Sequence, residues 1–112
     1  MFARHVILQL KRGVVSEFPR FIEKDILPQL RKQKGFLEEI VLTAPNQIET
    51  VAISLWEAKE YAEKYNREVY PEILKLLNKY VEGIPVVKEF EVPFASIPAF
   101  EKFAKTAVVS SN

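Results

Sequence analysis

The chain has no cysteine, a single histidine, three glycines and almost no excess of either charge. Each scarcity closes a class of function. Without thiols there is no disulfide framework and no thiolate metal site, and a lone His5 does not make a histidine-rich one. With 16 Lys and Arg against 15 Asp and Glu, the chain lacks the positive excess that phosphate backbones require, so nucleic acid is not an expected partner. No apolar run approaches the roughly 20 residues of a membrane span. The N-terminus shows no charged region followed by an apolar stretch and a small-residue cleavage site. The expected location is the cytoplasm, with no membrane, metal or cofactor.

What is present is ordinary globular chemistry: 48% hydrophobic and 28% charged residues, in a length of 112 that has room for one domain and one core. Periodicity switches between two and about 3.6 along the chain and so marks the elements. Residues 3–11 alternate Val6, Leu8 and Leu10 with His5, Ile7 and Gln9, a strand. Ser16 is the expected N-cap of a first helix, in which Phe18, Ile22, Ile26 and Leu30 recur every four residues as far as Lys34, with a kink at Pro28 and a stop at Gly35. Phe36 to Thr43 and Glu49 to Trp56 read as a hairpin around the turn Ala44-Pro45-Asn46-Gln47. From Ala58 a second helix carries Tyr61, Tyr65, Val69, Ile73, Leu76, Leu77 and Tyr80, with a break near Tyr70 imposed by Pro71. Gly83 is read as its end, and Pro85 as the opening of a last strand running to Val92. Residues 94–112 form a C-terminal tail, with a short helix expected over 98–105 around Phe100 and Phe103.

This order, βαββαβ, predicts an α+β ferredoxin-like domain over residues 1–93, a four-stranded antiparallel sheet with both helices on one face. The other face lacks the polar alternation of a wet sheet. Ile7 opposes Val6 and Leu8, Val41 opposes Ile40 and Leu42, Trp56 and Ala52 oppose Ile53 and Leu55, and Val87 opposes Val86. An apolar face of this kind implies an interface, and a twofold homodimer is the expected closure, with His5 and Ile7 at the seam. Noisy patterning, or a tail folded over the sheet, is the plainer alternative.

The run Leu55-Trp56-Glu57-Ala58-Lys59-Glu60-Tyr61-Ala62 resembles the strand-end Trp-Glu-Ser-like signature of the antibiotic biosynthesis monooxygenase-like family. Lys11-Arg12-Gly13, Leu27-Pro28-Gln29-Leu30, Gly35-Phe36 and Tyr70-Pro71 fall in order around it, so the resemblance covers roughly residues 3–93. It implies a dimeric α+β barrel, with a ligand pocket between sheet and helices. It also implies, in some members, oxidation of quinols or aromatic polyketides by dioxygen without metal or flavin. The haem-cleaving branch of that superfamily carries an Asn on the first strand and a Trp followed by a His on the second helix. Here the strand offers Arg4, His5 and Val6, Tyr65 stands near the Trp position, and no His follows.

A cofactor-independent oxygenase needs a dry pocket for an aromatic substrate and a donor for its deprotonated oxygen. Arg4 and Tyr65 are the candidate catalytic residues, and Trp56, Tyr61, Asn66 and Tyr70 the candidate substrate-binding ones. Arg4 shares the strand face of Val6 and Leu8, where a guanidinium would hold a phenolate by charge-assisted hydrogen bonds. A strand-end Arg with a buried stem and a wet head is the blander account of the same position. For the tyrosines that account is amphipathic core, and for Trp56 a packing anchor. His5 alternates to the other face, where a histidine serves as general base or as a plain interface residue. Glu38 and Glu39 are adjacent, point to opposite faces and cannot act as a carboxylate pair. Two functions follow: a small monooxygenase acting on a quinol-like or aromatic molecule, or a non-enzymatic dimeric barrel that binds a small apolar ligand as an effector-binding or stress-associated module.

Overall fold

The computed structural model describes residues 1–45 and 48–98. Its elements are β1 (Phe2–Leu10), α1 (Phe18–Phe21), a π-helical turn (Ile22–Ile26), α2 (Leu27–Arg31), β2 (Phe36–Thr43), β3 (Glu49–Trp56), α3 (Lys59–Glu68), α4 (Tyr70–Leu77) and β4 (Val81–Glu91). The strands pair in the order β2-β3-β1-β4, all neighbours antiparallel. This is the ferredoxin-like α+β arrangement that the sequence predicts. Asn46 and Gln47 of the expected turn, and the expected helix over 98–105 beyond its first residue, lie outside the described residues.

Both helical stretches are broken, and proline explains each break. Pro28 has no N–H, and its ring crowds the carbonyl one turn back. The first stretch widens ahead of it into the π-turn, where the Leu27 N–H donates to the Ile22 carbonyl five residues earlier. The stretch then ends at Arg31 rather than Lys34. Its N-cap is Glu17, which makes no side-chain cap, and not Ser16. In the second stretch Pro71 sits in the first turn of α4, after the break that separates it from α3.

The second helix stops at Leu77, with Asn78 as its C-cap, well before Gly83. Gly83 lies inside β4 with φ +68°, where the pairing with β1 jumps from Ile7↔Val86 to Gln9↔Glu82. The residues in between form a bulge. Gly83 supplies the left-handed backbone that a side chain would strain, and Pro85 sits where a ladder N–H is not needed. The strand therefore begins before Pro85, at Val81.

Register fixes the two faces of the sheet. One carries Phe2, Arg4, Val6, Leu8 and Leu10 of β1, beside Thr50, Ser54 and Trp56 of β3. Phe18, Phe21, Ile22, Ile26 and Leu30 from the first helical stretch, with Ala62, Tyr65, Tyr70, Ile73 and Leu77 from the second, pack on it and complete the core. The other face carries no helix among the described residues, and its rows are Ile40-Ile53-His5-Lys88 and Leu42-Val51-Ile7-Val86. No helix among the described residues is long and apolar enough to cross a membrane.

Candidate functional site

A cavity lies between the sheet and the helices, about 40 Å³ when measured as space open to the centre of a water-sized sphere. Its floor is Arg4, Val6 and Leu8 of β1, Ala52 and Ser54 of β3, and Glu39 of β2. Ile22 and Ile26 of the π-turn and Leu30 of α2 close one side, and Tyr65, Tyr70, Ile73 and Leu77 the other. The lining is apolar apart from one polar cluster, the usual composition of a small-molecule site. Benzene occupies apolar cavities of about 150 Å³, so an aromatic guest requires the helical walls to move outward.

Arg4 dominates the cluster. It is 2% exposed, so its guanidinium as well as its stem is buried, and the wet-headed account of this residue is wrong. One terminal nitrogen donates to Asn66 Oδ1 at 2.7 Å, and the guanidinium carbon lies 3.9 Å from the centroid of the Tyr70 ring and 5.1 Å from that of Tyr65. Its Nε is buried without a hydrogen-bond partner among the described residues, and the buried Tyr70 hydroxyl has no partner of good geometry although it lies close enough to the guanidinium for Arg4 to stabilise its ionised form. An unpaired buried donor costs about 1–3 kcal/mol, so Nε favours an incoming acceptor.

Across the floor Glu39 pairs with Ser54, and Ser54 with Arg4, one row spanning three strands. The Trp56 indole N–H donates to Ser54 Oγ at 2.9 Å, which leaves the serine hydroxyl proton free to be directed elsewhere. Burial pushes the Glu39 carboxyl up to about 8 from 4.5, and the charge of Arg4 offsets this only in part. Burial also raises the Tyr65 and Tyr70 hydroxyls above the usual phenol range, again against the pull of Arg4. Near neutrality the resting cluster therefore holds a cation, two neutral phenols and a mostly protonated carboxyl. It is a net positive pocket in a dry wall.

The residues singled out from sequence fall into four places. Arg4, Tyr65 and Tyr70 line the cavity. Trp56 and Asn66 stand directly behind it: Asn66 fixes the guanidinium, while Trp56, wholly buried, holds Ser54 and packs 5.1 Å from Tyr65 and 5.6 Å from Phe36. Tyr61 is not part of the lining. It packs on Gly35, where an added Cβ would collide with the tyrosine ring and where φ is +85°, so both contact and backbone demand glycine. His5 and Ile7 lie on the uncovered face, with His5 edge-on to Phe90 at 5.8 Å.

Glu39 and Ser54 were not legible as site residues. Plain alternation from the inward-facing Phe36 would send Glu38 inward and Glu39 out. The structure inserts a bulge at Leu37, since Phe36 pairs with Trp56 and Glu38 already with Leu55, and this turns Glu39 into the cavity. The only sequence signal was that Val41 has to share a face with Glu39.

No family model matches the sequence, and no curated protein matches it. Solved structures do. A Streptomyces coelicolor monooxygenase in complex with nanaomycin D superposes with a TM-score of 0.71 at 15% identity, over 87% of this chain and 91% of that one. SnoaB, a cofactor-independent oxygenase from Streptomyces nogalater, superposes with a TM-score of 0.69 at 13% identity, over 85% and 95%. A Nitrosomonas europaea protein of unknown function gives 0.70 at 16% identity, over 88% and 94%. At these identities the likeness is one of fold: the chain has the ferredoxin-like fold shared by antibiotic biosynthesis monooxygenase-like proteins.

Proposed function

We propose that the protein is a cofactor-independent monooxygenase that oxidises a quinol-like or hydroxylated aromatic molecule in the cavity between sheet and helices. The observation that carries this reading is the buried guanidinium of Arg4, set against two tyrosine rings with its Nε unpaired. An oxyanion in that position gains a charge-assisted hydrogen bond in a low-dielectric wall, where such bonds are strongest. The fold is also that of oxygenases such as SnoaB. For an anthrone-type substrate the overall change is RR′CH2 + O2 → RR′C=O + H2O. The deprotonated carbon forms the new C–O bond. The O–O bond breaks as the second proton leaves, and all four electrons come from the substrate. Arg4 lowers the barrier to the first step by stabilising the deprotonated form. Tyr65, Tyr70 and Asn66 set its orientation, and the apolar walls keep water from the oxygen intermediates.

The test is dioxygen uptake with a panel of hydroquinones and anthrones. Wild type is expected to turn over at least one, and Arg4→Ala to lose about 100- to 1,000-fold of that rate. If nothing is turned over while apolar probes still bind at a saturable site, a ligand-binding barrel without catalysis takes its place.

We also infer that the uncovered face pairs with a second copy of the chain. Ile40, Leu42, Val86 and Phe90 are 41–52% exposed there, beside Ile7, Val51 and Ile53 in the same rows. An apolar patch of this breadth marks an interface, and a twofold axis is the cheapest way to close it.

A further inference from the structure

We propose that Glu39 is the proton acceptor of this cavity: it takes the hydroxyl proton of a phenolic or enolic ligand, and Arg4 holds the resulting oxyanion. The inference rests on the cavity being the ligand site, as in the oxygenase reading, and narrows its ligand to molecules with an acidic O–H.

Four lining residues are titratable: Arg4 from β1, Glu39 from β2, Tyr65 from α3 and Tyr70 from α4. A guanidinium has no lone pair to accept with, and a neutral phenol is a poor base. Glu39 alone of the lining residues offers a basic oxygen. From the other elements packed around it, the π-turn and α2 present only Ile22, Ile26 and Leu30 to the cavity, while Glu23, Lys24 and Asp25 are exposed. On β4 the register partner of Arg4 is Glu89, which is exposed at the sheet edge on the far side of Arg4 from Glu39.

The spacing suits a hydroxyl held between the two. Glu39 and Arg4 are separated by one strand, so their backbones stand two strand spacings apart, roughly 10 Å. Their side chains converge on the space above Ser54, which all three line. Arg4 and Tyr70 both line that space, and Arg4 Nε is buried without a hydrogen-bond partner among the described residues, so an oxyanion formed there offers that donor an acceptor. The base is also matched to the acid. Phenol titrates at about 10, so transfer to an ordinary carboxylate is uphill by nearly six pK units, and transfer to a carboxylate at about 8 by only about two. In the step itself the substrate O–H bond breaks and a Glu39 O–H bond forms. The electron pair stays on the substrate oxygen, and the protonated Glu39 becomes a further donor to it.

The experiment is anaerobic binding of phenol at about pH 9, above the Glu39 value of about 8 and below that of free phenol at about 10. Difference absorbance reports the bound form, and a pH indicator in weak buffer counts the protons released. Wild type is expected to bind phenol saturably as the oxyanion with about zero protons released, because the proton stays on Glu39. Glu39→Gln is expected to bind it neutral, or as the oxyanion with about one proton released per site. Glu39→Asp retains the carboxylate and is expected to behave as wild type. If Glu39→Gln does not fold, the wild-type and Glu39→Asp results decide. Neutral phenol in the wild-type site, release of a full proton by wild type, or no saturable binding would each overturn the proposal. Dioxygen plays no part here, so a protein that shows this signature yet consumes no oxygen sinks the oxygenase reading alone, and a protein that consumes oxygen without it sinks the role of Glu39 alone.

Discussion

The two faces of the sheet are made from the same four strands, yet they carry different chemistry. The face under the helices holds a row of Glu39, Ser54 and Arg4 in the middle of an otherwise apolar floor. The face that carries no helix among the described residues holds Ile, Leu, Val and Phe in the alternate rows, with His5 at its centre and Glu38 and Lys88 toward its edges. The helices account for the contrast. A buried guanidinium survives only where several elements supply partners, and α3 and α4 bring Asn66, Tyr65 and Tyr70 to Arg4. Among the described residues the bare face has no second layer. Its apolar rows suit an identical partner, since self-complementary apolar surface leaves no charge stranded on the axis.

The contrast is broken most severely by truncation. Trp56, buried on the helix face, holds Ser54 and packs on Tyr65 and Phe36, so Trp56→Ala is expected to cost about 3–5 kcal/mol in urea unfolding. Phe90, half exposed on the other face, is expected to cost about 1 kcal/mol or less under dilute conditions where no partner covers it. Equal losses would mean that the two faces are equally covered.

A somewhat smaller effect sharpens the electrostatic side of the contrast. Glu39 titrates at about 8 in the folded protein and near 4.5 unfolded, so between those values the folded state holds a proton that the unfolded chain has lost. Its contribution is greatest below about pH 4.5, declines as pH rises, and is gone above about pH 8. Allowing for its partial exposure, the decline is on the order of 3 kcal/mol. Glu39→Gln is expected to flatten that slope in unfolding curves measured from pH 5 to 8. A slope unchanged in the variant would place the carboxyl in water.

The smallest expected effect concerns the bare face. Leu42→Asp buries an unpaired charge in the proposed apolar interface, and sedimentation is expected to show at least a tenfold weaker dimer, about 1.4 kcal/mol, with monomer folding little changed. A wild-type chain that sediments as a monomer at micromolar concentration would remove the dimer from the account.

Much of the fold was legible because its signals are local. Alternation in β1, the four-residue spacing of Phe18, Ile22, Ile26 and Leu30, and the break before Pro71 each reflect nearest-neighbour physics, and each appears where the pattern puts it. The misreadings occur where a non-local pairing decides. Gly83 reads as a helix stop, but it serves a bulge set by register with β1. Arg4 was legible as inward-facing by alternation alone, whereas its burial required the partners on α3 and α4. Glu39 was missed because one extra residue in β2 exchanges which glutamate faces inward, and the hydrophobic pattern around it is apolar on both sides.

The most direct test of the account is a crystal structure of the protein with a bound hydroxyanthracene or hydroquinone. The account predicts the ring between the sheet and the outward-shifted helices, with its oxygen within about 3 Å of Arg4 Nε, a normal N–H···O distance. A ligand seated on the uncovered face, or in the cavity with its oxygen turned away from Arg4, would contradict it.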